Sequence, residues 1–446
     1  MTEWIGAAEA AERLGIKQTS LYAYVSRGVL TRRREPDGRA SMFDADEIEE
    51  LARRGRPRRQ GGRAGPAELV IESALTEITP RTQRYRGYDA TDLALRCSFE
   101  DVAMLLWTGS LPGHGTVGPA SDTGAGSDTE ASRASGVGNP TADGASGADP
   151  AEARGWTAMP TAISAGRAAQ AALPAGTLPL ERIQVIVPAL AATDQFRLHL
   201  DRPAVVAAGK ALISGMIEAL PPAAVAATAS GTSGPDSVAA RLATRLCPAP
   251  ATAGVIRVIN AALILVADHE LAASTLAARV AASMRADPYA VVSTGLGAMT
   301  GALHGGAALG AEIMLGSAET SAHAGRVVAN VLRRGEKLPG FGHFVYRDGD
   351  PRANLLLRLI AEYAPDSERL AVALAVTAEA RRRALPDPNI EFALAVLAAV
   401  AGMVRGAGEA MFATGRTAGW LAHALEEYER NVPIRPRCVY TGPREQ

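Results

Sequence analysis

From Trp156 onward the chain reads as one helix-forming segment after another, and this narrows the available folds more than any other feature. The segments are Leu180–Ala192, Ala204–Leu220, Ser237–Leu246, Gly254–Ala267, Thr275–Ala282, Pro288–Gly301, Glu319–Arg334, Asn354–Ala361, Ser367–Arg383, Ile390–Val404 and Trp420–Arg430. Each is about 8 to 17 residues long, rich in Ala and Leu, and closed by Gly, Pro or Asp. Several are apolar all round, which places them inside a large bundle. Alternation of the kind strands require is hard to find. The expected class is mainly α.

Composition removes several alternatives. Three cysteines in 446 residues exclude a disulfide-stapled secreted domain. A net charge of -1, from 46 basic and 47 acidic side chains, excludes a globally basic nucleic-acid coat or an acidic disordered tail. The most apolar run, Phe392–Val404, lies between Glu391 and Arg405 and is too short to span a membrane. The N-terminus lacks the basic start and apolar stretch of a secretion signal, so a cytoplasmic location is expected.

The chain divides by composition. Residues 1–51 form one unit, and an Arg/Gly/Pro-rich linker follows over 52–66. Residues 67–446 form the main body. Within it, Gly113–Pro150 is built from Gly, Ser, Ala, Thr and Asp and has too little apolar surface to offset its ordering entropy. It reads as a disordered insertion.

The first unit has a helical stretch ending at Leu14-Gly15, a turn, and a second short helix from Ser20. Helix, Gly-containing turn, helix is the helix-turn-helix pattern. Lys17, Gln18, Thr19, Ser20 and Tyr22 would face the groove and phosphates, with Arg32, Arg33, Arg34 and Arg39 on a wing closed by Phe43. Asp44 and Glu47 have capping-box spacing for a third helix. The pattern resembles the winged helix-turn-helix of MerR-like regulators and excisionases. DNA is therefore a candidate partner, although nearby acidic residues nearly cancel the arginines.

Three of the seven histidines fall in Asp268-His269-Glu270, Leu303-His304-Gly305-Gly306 and Gly340-Phe341-Gly342-His343. Glycine breaks let backbone N–H groups and an imidazole face a ligand together. None has metal-ligand spacing. His114, His199, His323 and His423 stand apart and read as structural or surface residues. Arg352, Arg416 and Arg435 lie near Pro or Gly, and guanidinium groups bind carboxylates through two N–H donors. Glu391 opens an apolar helix, where it could serve as a general base. Together these residues suggest acid/base work on a small dicarboxylate or keto acid.

Taken in order, these motifs resemble citrate synthase over Ile71 to Gly442. The series is Tyr85–Asp89, Phe99–Val102, Leu106–Pro112, Asp268-His269-Glu270 with Ala273-Ser274-Thr275, His304-Gly305-Gly306, Gly340–Tyr346 with Asp350-Pro351-Arg352, Gly415–Trp420, and Arg435-Pro436-Arg437 with Tyr440-Thr441-Gly442. The resemblance implies large and small helical domains, the smaller inserted at about 288–395, and an obligate homodimer. It implies condensation of acetyl-CoA with oxaloacetate, no tightly bound cofactor and no metal. His304 would stabilise the enol, His343 would donate to the keto carbonyl, and Glu391 would remove the methyl proton. His269, Arg352, Phe412 and Arg416 would bind oxaloacetate, with Arg435 added across the dimer and Arg347 near the CoA phosphates.

The sequence departs from the family pattern at four places. Glu391 replaces an aspartate. Ala272 and Ala308 replace asparagines. Phe344 stands where bacterial members usually have arginine, and Phe392-Ala393-Leu394-Ala395 replaces an aromatic, Ser and Gly run. Two other functions stay open: 2-methylcitrate synthesis from propionyl-CoA or a related condensation, and a DNA-binding regulator that uses the synthase fold as a metabolite sensor.

Overall fold

The computed structural model describes residues 4–14, 21, 25, 30–34, 41–45, 47–49, 71–111, 155–223, 237–301, 304, 306–438 and 442. The linker 52–66, the insertion 113–150 and the expected DNA contacts Lys17, Gln18, Thr19, Ser20, Tyr22 and Arg39 lie outside these residues. The chain forms two compact units, Met1–Glu72 and Ser73–Gln446.

In the first unit, strands β1 (Trp4–Gly6), β2 (Arg32–Arg34) and β3 (Ser41–Asp44) form an antiparallel sheet in the order β1-β3-β2. Arg33 pairs with Met42 across β2 and β3. The helix Ala7–Arg13 packs on this sheet, over a small core that includes Ile5, Leu21, Phe43 and Ile48.

The second unit opens with another antiparallel sheet, β4 (Thr76–Ile78), β5 (Gln83–Tyr85) and β6 (Tyr88–Asp89). The sequence points to the β2–β3 hairpin as a wing but not to β1 or to this second sheet, because two- and three-residue strands are too short to show alternation. Helices follow, as expected. Asp89 and Ser98 cap the two helices after β6 through their side chains. Four helices of this unit, Ala90–Arg96, Phe99–Thr108, Pro160–Ala171 and Gly306–Gly316, lie outside the helical segments read from the sequence. Pro160–Ala171 mixes Ala, Gly and polar residues, and Gly306–Gly316 is apolar on nearly every side and broken by glycines, so neither shows a clear apolar stripe.

The centre of the unit is the helix Ala407–Arg430, 24 residues and about 36 Å long. It extends well ahead of the expected start at Trp420. Glycines at 408, 415 and 419 lower its apparent helical propensity, but its surroundings favour it. Every residue from Ala407 to Leu425 is buried. Gly406, in the left-handed conformation, begins it, and the Glu312 carboxylate accepts the Gly406 and Gly408 N–H groups. Helices Ala253–Leu265, Ala273–Ser283 and Pro288–Met299 pack against it. Trp420 sits over Gly295, where a side chain would collide with the indole. Complete burial of one such indole removes about 200 Å² from water, or about 5 kcal/mol of favourable transfer.

The helix Ile390–Val400 is shorter than expected, because the left-handed Gly402 ends the run before Val404. It is buried over most of its circumference, which explains the apolar run Phe392–Ala398 without a membrane. No helix among the described residues is long and apolar enough to cross one.

Candidate active site

Three loops and three helices carry the expected site residues. His269 follows the helix Ala253–Leu265, and His304 lies between helices Pro288–Met299 and Gly306–Gly316. His343 precedes the helix Pro351–Tyr363, and Glu391 is in the first turn of Ile390–Val400. Phe412 and Arg416 come from the C-terminal helix, one turn apart.

The loops carrying His343 and Glu391 are laced together. Asn389 N–H donates to the Gly340 carbonyl at 2.8 Å, and Gly342 N–H donates to the Asp387 carbonyl at 2.8 Å. Asn389 Nδ2 donates to the Gly342 carbonyl at 2.9 Å, while its Oδ1 accepts the Glu391 and Phe392 N–H groups. Gly340 has φ +76, and a Cβ there would lie 2.7 Å from the Phe392 Cβ. Only glycine fits this crossing.

The histidines fall in two ring groups, and the charge of Arg416 bears on a histidine of each. The His269 and His343 ring centroids are 5.1 Å apart at 70°, and the Tyr346 ring stacks on His343 at 4.7 Å. Arg352 lies over Tyr346, with its Cζ 5.3 Å from the ring centroid. His304 meets Phe412 edge-on at 6.2 Å, and Arg416 lies over Phe412 at 4.7 Å.

Hydrogen bonds assign the imidazole protons. His343 Nδ1 accepts the Val345 N–H at 3.0 Å and the Tyr346 N–H at 3.3 Å, so its proton sits on Nε2. Trp420 Nε1 donates to Ser274 Oγ at 3.3 Å. Ser274 Oγ lies 2.6 Å from His304 Nε2, and when the hydroxyl donates there the His304 proton sits on Nδ1. His343 keeps an N–H for a ligand, as does His304 in that arrangement.

Electrostatics favours neutral rings. Burial, aided by Arg416, pushes His304 down to about 4. Burial, aided by Arg352, pushes His343 down to about 4. His269 lies well below its ordinary value through burial and the charges of Arg352 and Arg416. Glu391 moves the other way: burial and Asp350 raise it, against Arg352 and Arg416.

The two arginines differ. Arg352 donates from Nε (3.0 Å) and Nη2 (2.8 Å) to the two oxygens of Asp350, whose Oδ2 also accepts the Ile390 N–H. Arg416 donates from Nε to the Val266 carbonyl at 2.7 Å. Its Nη1, together with His269 Nε2 and Glu391 Oε2, is buried without a hydrogen-bond partner among the described residues. Such groups are costly unless a ligand satisfies them.

Two expected residues stand apart from these groups. Arg347 is exposed, three residues after Phe344, whose side chain is 86% exposed. Arg435 is exposed in the tail after the C-terminal helix, which is tied down where Ile434 N–H donates to Ser283 Oγ. Neither joins them within its own chain. Sequence reasoning missed Tyr346 and the tautomer-setting role of Ser274, although both lie inside quoted motifs. Of the two readings open for His423, structural or surface, the structure shows the first: its side chain is fully buried between Arg279 and Asp268. Among the described residues, no group of three or more His, Cys, Asp or Glu side chains is placed to hold a metal ion.

The body is largely helical, and its site gathers imidazoles that burial keeps neutral, a buried carboxylate and two buried arginines. The chain belongs to the citrate synthase family: the family model "Citrate synthase, C-terminal domain" matches residues 67–437. It is 30% identical over 394 residues to the citrate synthase of Haloferax volcanii, spanning 84% of this chain and 94% of that protein. It is also 30% identical over 393 residues to the 2-methylcitrate synthase of Mycobacterium tuberculosis, spanning 85% and 90%. Its match to citrate synthase 2 of Bacillus subtilis is 37% over 194 residues, 43% of this chain and 52% of that protein, so there it spans about half of the relative's length. Among solved structures, the citrate synthase from Thermotoga maritima MSB8 superposes with a TM-score of 0.62 over 85% of this chain and 95% of that one. At 24% identity that likeness shows the fold.

Proposed function

We propose that the chain condenses acetyl-CoA with oxaloacetate and water to give citrate and CoA. The observation that carries this reading is the set of unpartnered buried groups, Arg416 Nη1, His269 Nε2 and Glu391 Oε2, beside His343 with its free N–H and His304 paired with Ser274. A dianionic keto acid satisfies the first two, and a weak carbon acid requires the third.

In this reading His269, Arg352 and Arg416 hold oxaloacetate, with Phe412 as a wall. Glu391 takes a proton from the acetyl methyl while the His304 Nδ1–H stabilises the enol oxygen. The His343 Nε2–H donates to the keto carbonyl as the enol carbon forms the new C–C bond. Water then hydrolyses the thioester. Arg347 contacts the CoA phosphates, and Arg435 is supplied by a second copy in a homodimer. The smaller domain, at about 288–395, closes over the site to exclude water. Citrate and 2-methylcitrate synthases at equal identity leave acetyl-CoA and propionyl-CoA as competing substrates.

Thiol release from each acyl-CoA with oxaloacetate tests this. Turnover should fall on the order of 10²–10⁴-fold in Glu391→Gln and in His304→Ala. No release from any keto-acid pair by the unaltered protein would sink the enzymatic reading, and faster turnover of propionyl-CoA would favour the 2-methylcitrate alternative.

We further propose that the Met1–Glu72 unit binds DNA through a winged helix-turn-helix. The exposed Arg32 and Arg33 on β2 favour this, because the strand pairs with β3 and presents guanidinium groups outside the small core. Lys17, Gln18, Thr19, Ser20, Tyr22, Arg34 and Arg39 complete the proposed surface. A dimeric body supplies the two-fold symmetry of a half-site reader.

A further inference from the structure

The C-terminal helix holds the chain ahead of His269 at three successive residues, the first two through backbone carbonyls and the third through a side-chain carboxylate. Arg416 Nε donates to the Val266 carbonyl at 2.7 Å, and Gly419 N–H donates to the Ala267 carbonyl at 3.0 Å. His423 Nε2 lies 3.2 Å from Asp268 Oδ2. Arg416, Gly419 and His423 fall at i, i+3 and i+7 and share one helix face.

His423 is clamped from its other side. Its Nδ1 is 2.6 Å from Arg279 Nη1, and a guanidinium only donates, so the imidazole proton sits on Nε2, toward Asp268. Arg279 is itself fully buried and donates to Glu427 Oε1 at 2.6 Å and Glu426 Oε2 at 2.7 Å. Asp268, also fully buried, accepts from Thr76 Oγ1 at 2.5 Å. Its carbonyl accepts from Gln83 Nε2 at 2.9 Å and the Tyr85 hydroxyl at 3.2 Å.

On the other side of His269 the backbone is strained. Glu270 is a non-glycine residue at φ +50. Strain of this kind persists where the surroundings over-determine the chain. The buried network on Asp268 provides that constraint one residue before His269.

We propose that His423 is a positioning residue for His269. It links the Arg279–Glu427 pair to Asp268 and so fixes the turn that aims the His269 imidazole, without touching substrate. This rests on His269 as a ligand of the keto acid.

The test compares His423→Leu with His423→Gln, since a glutamine amide retains a donor toward Asp268 and an acceptor toward Arg279. Two readouts are taken: KM for oxaloacetate against KM for acetyl-CoA, and the ¹⁵N imidazole signals of His269 in the unliganded full-length protein. The leucine variant should raise the oxaloacetate KM at least tenfold, keep the acetyl-CoA KM within twofold, and shift the His269 signals. The glutamine variant should recover most of each change. Thr76→Val, which removes one donor to Asp268, carries the same expectation if the leucine variant does not fold. Unmoved His269 signals, or glutamine as impaired as leucine, would overturn the proposal. A wild-type protein inert toward oxaloacetate whose His269 signals still respond would overturn the functional reading alone.

Discussion

Glu391 carries one methylene more than the aspartate its family would place there, yet it keeps a buried oxygen without a partner, raised in pKa by burial. Its protonation sets an expected acid limb. If Glu391 is the base, as proposed, its free carboxylate is needed and kcat/KM should rise with pH through a midpoint above the ordinary carboxylate value. Because burial holds His304 and His343 near 4, neither ring should contribute a step at neutral pH. A profile from pH 4.5 to 8 checks this, and an acid limb that stays in place in Glu391→Asp would count against Glu391 as the base. Stability has its own sign. The two histidines bind protons more weakly folded than unfolded, so stability should fall as pH drops from about 6.5 toward 4. At this scale the sequence was most legible where a motif fixes the residue type. It was least legible for the proton positions, because Ser274, Trp420 and the Val345 N–H set them through contacts that spacing does not encode.

Among elements, the C-terminal helix depends on two small residues one turn apart. A Cβ on Gly415 would approach the Leu263 carbonyl oxygen to 2.6 Å, and one on Gly419 would collide with the Ala267 carbonyl and Asp268. Backbone cannot yield as a flexible side chain can. Gly419→Ala should therefore cost about 1–3 kcal/mol, despite alanine's better helical propensity. Urea unfolding measures it, and a stabilised variant would show that the close approach is not required. These glycines also explain why the sequence placed this helix's start at Trp420. Propensity sees Gly408, Gly415 and Gly419 as breaks, whereas tertiary contact makes glycine necessary at two of them. The short strands β4 to β6 escaped for the opposite reason, too little length to carry a period.

For the molecule as a whole, the units Met1–Glu72 and Ser73–Gln446 have separate cores. A chain beginning at Ser73 should turn over acyl-CoA within twofold of the full protein and lose any salt-dependent shift of promoter DNA. Retained DNA binding would refute the assignment of that activity to the first unit, and lost turnover would refute the independence of the second. The mainly α class was readable because long buried helices leave long apolar segments. The grouping of His269, His304, His343 and Glu391 was readable only through the family resemblance, since no spacing along 123 residues (269 to 391) reports a meeting in space.

The unequal dress of the two buried arginines has one more consequence. Arg352 already shares its fork with Asp350, whereas Arg416 has no carboxylate within ion-pair distance among the described residues. Small inorganic anions such as sulfate should therefore compete with the keto acid chiefly through Arg416. Inhibition by salt at this site would then depend on which anion is added as well as on ionic strength.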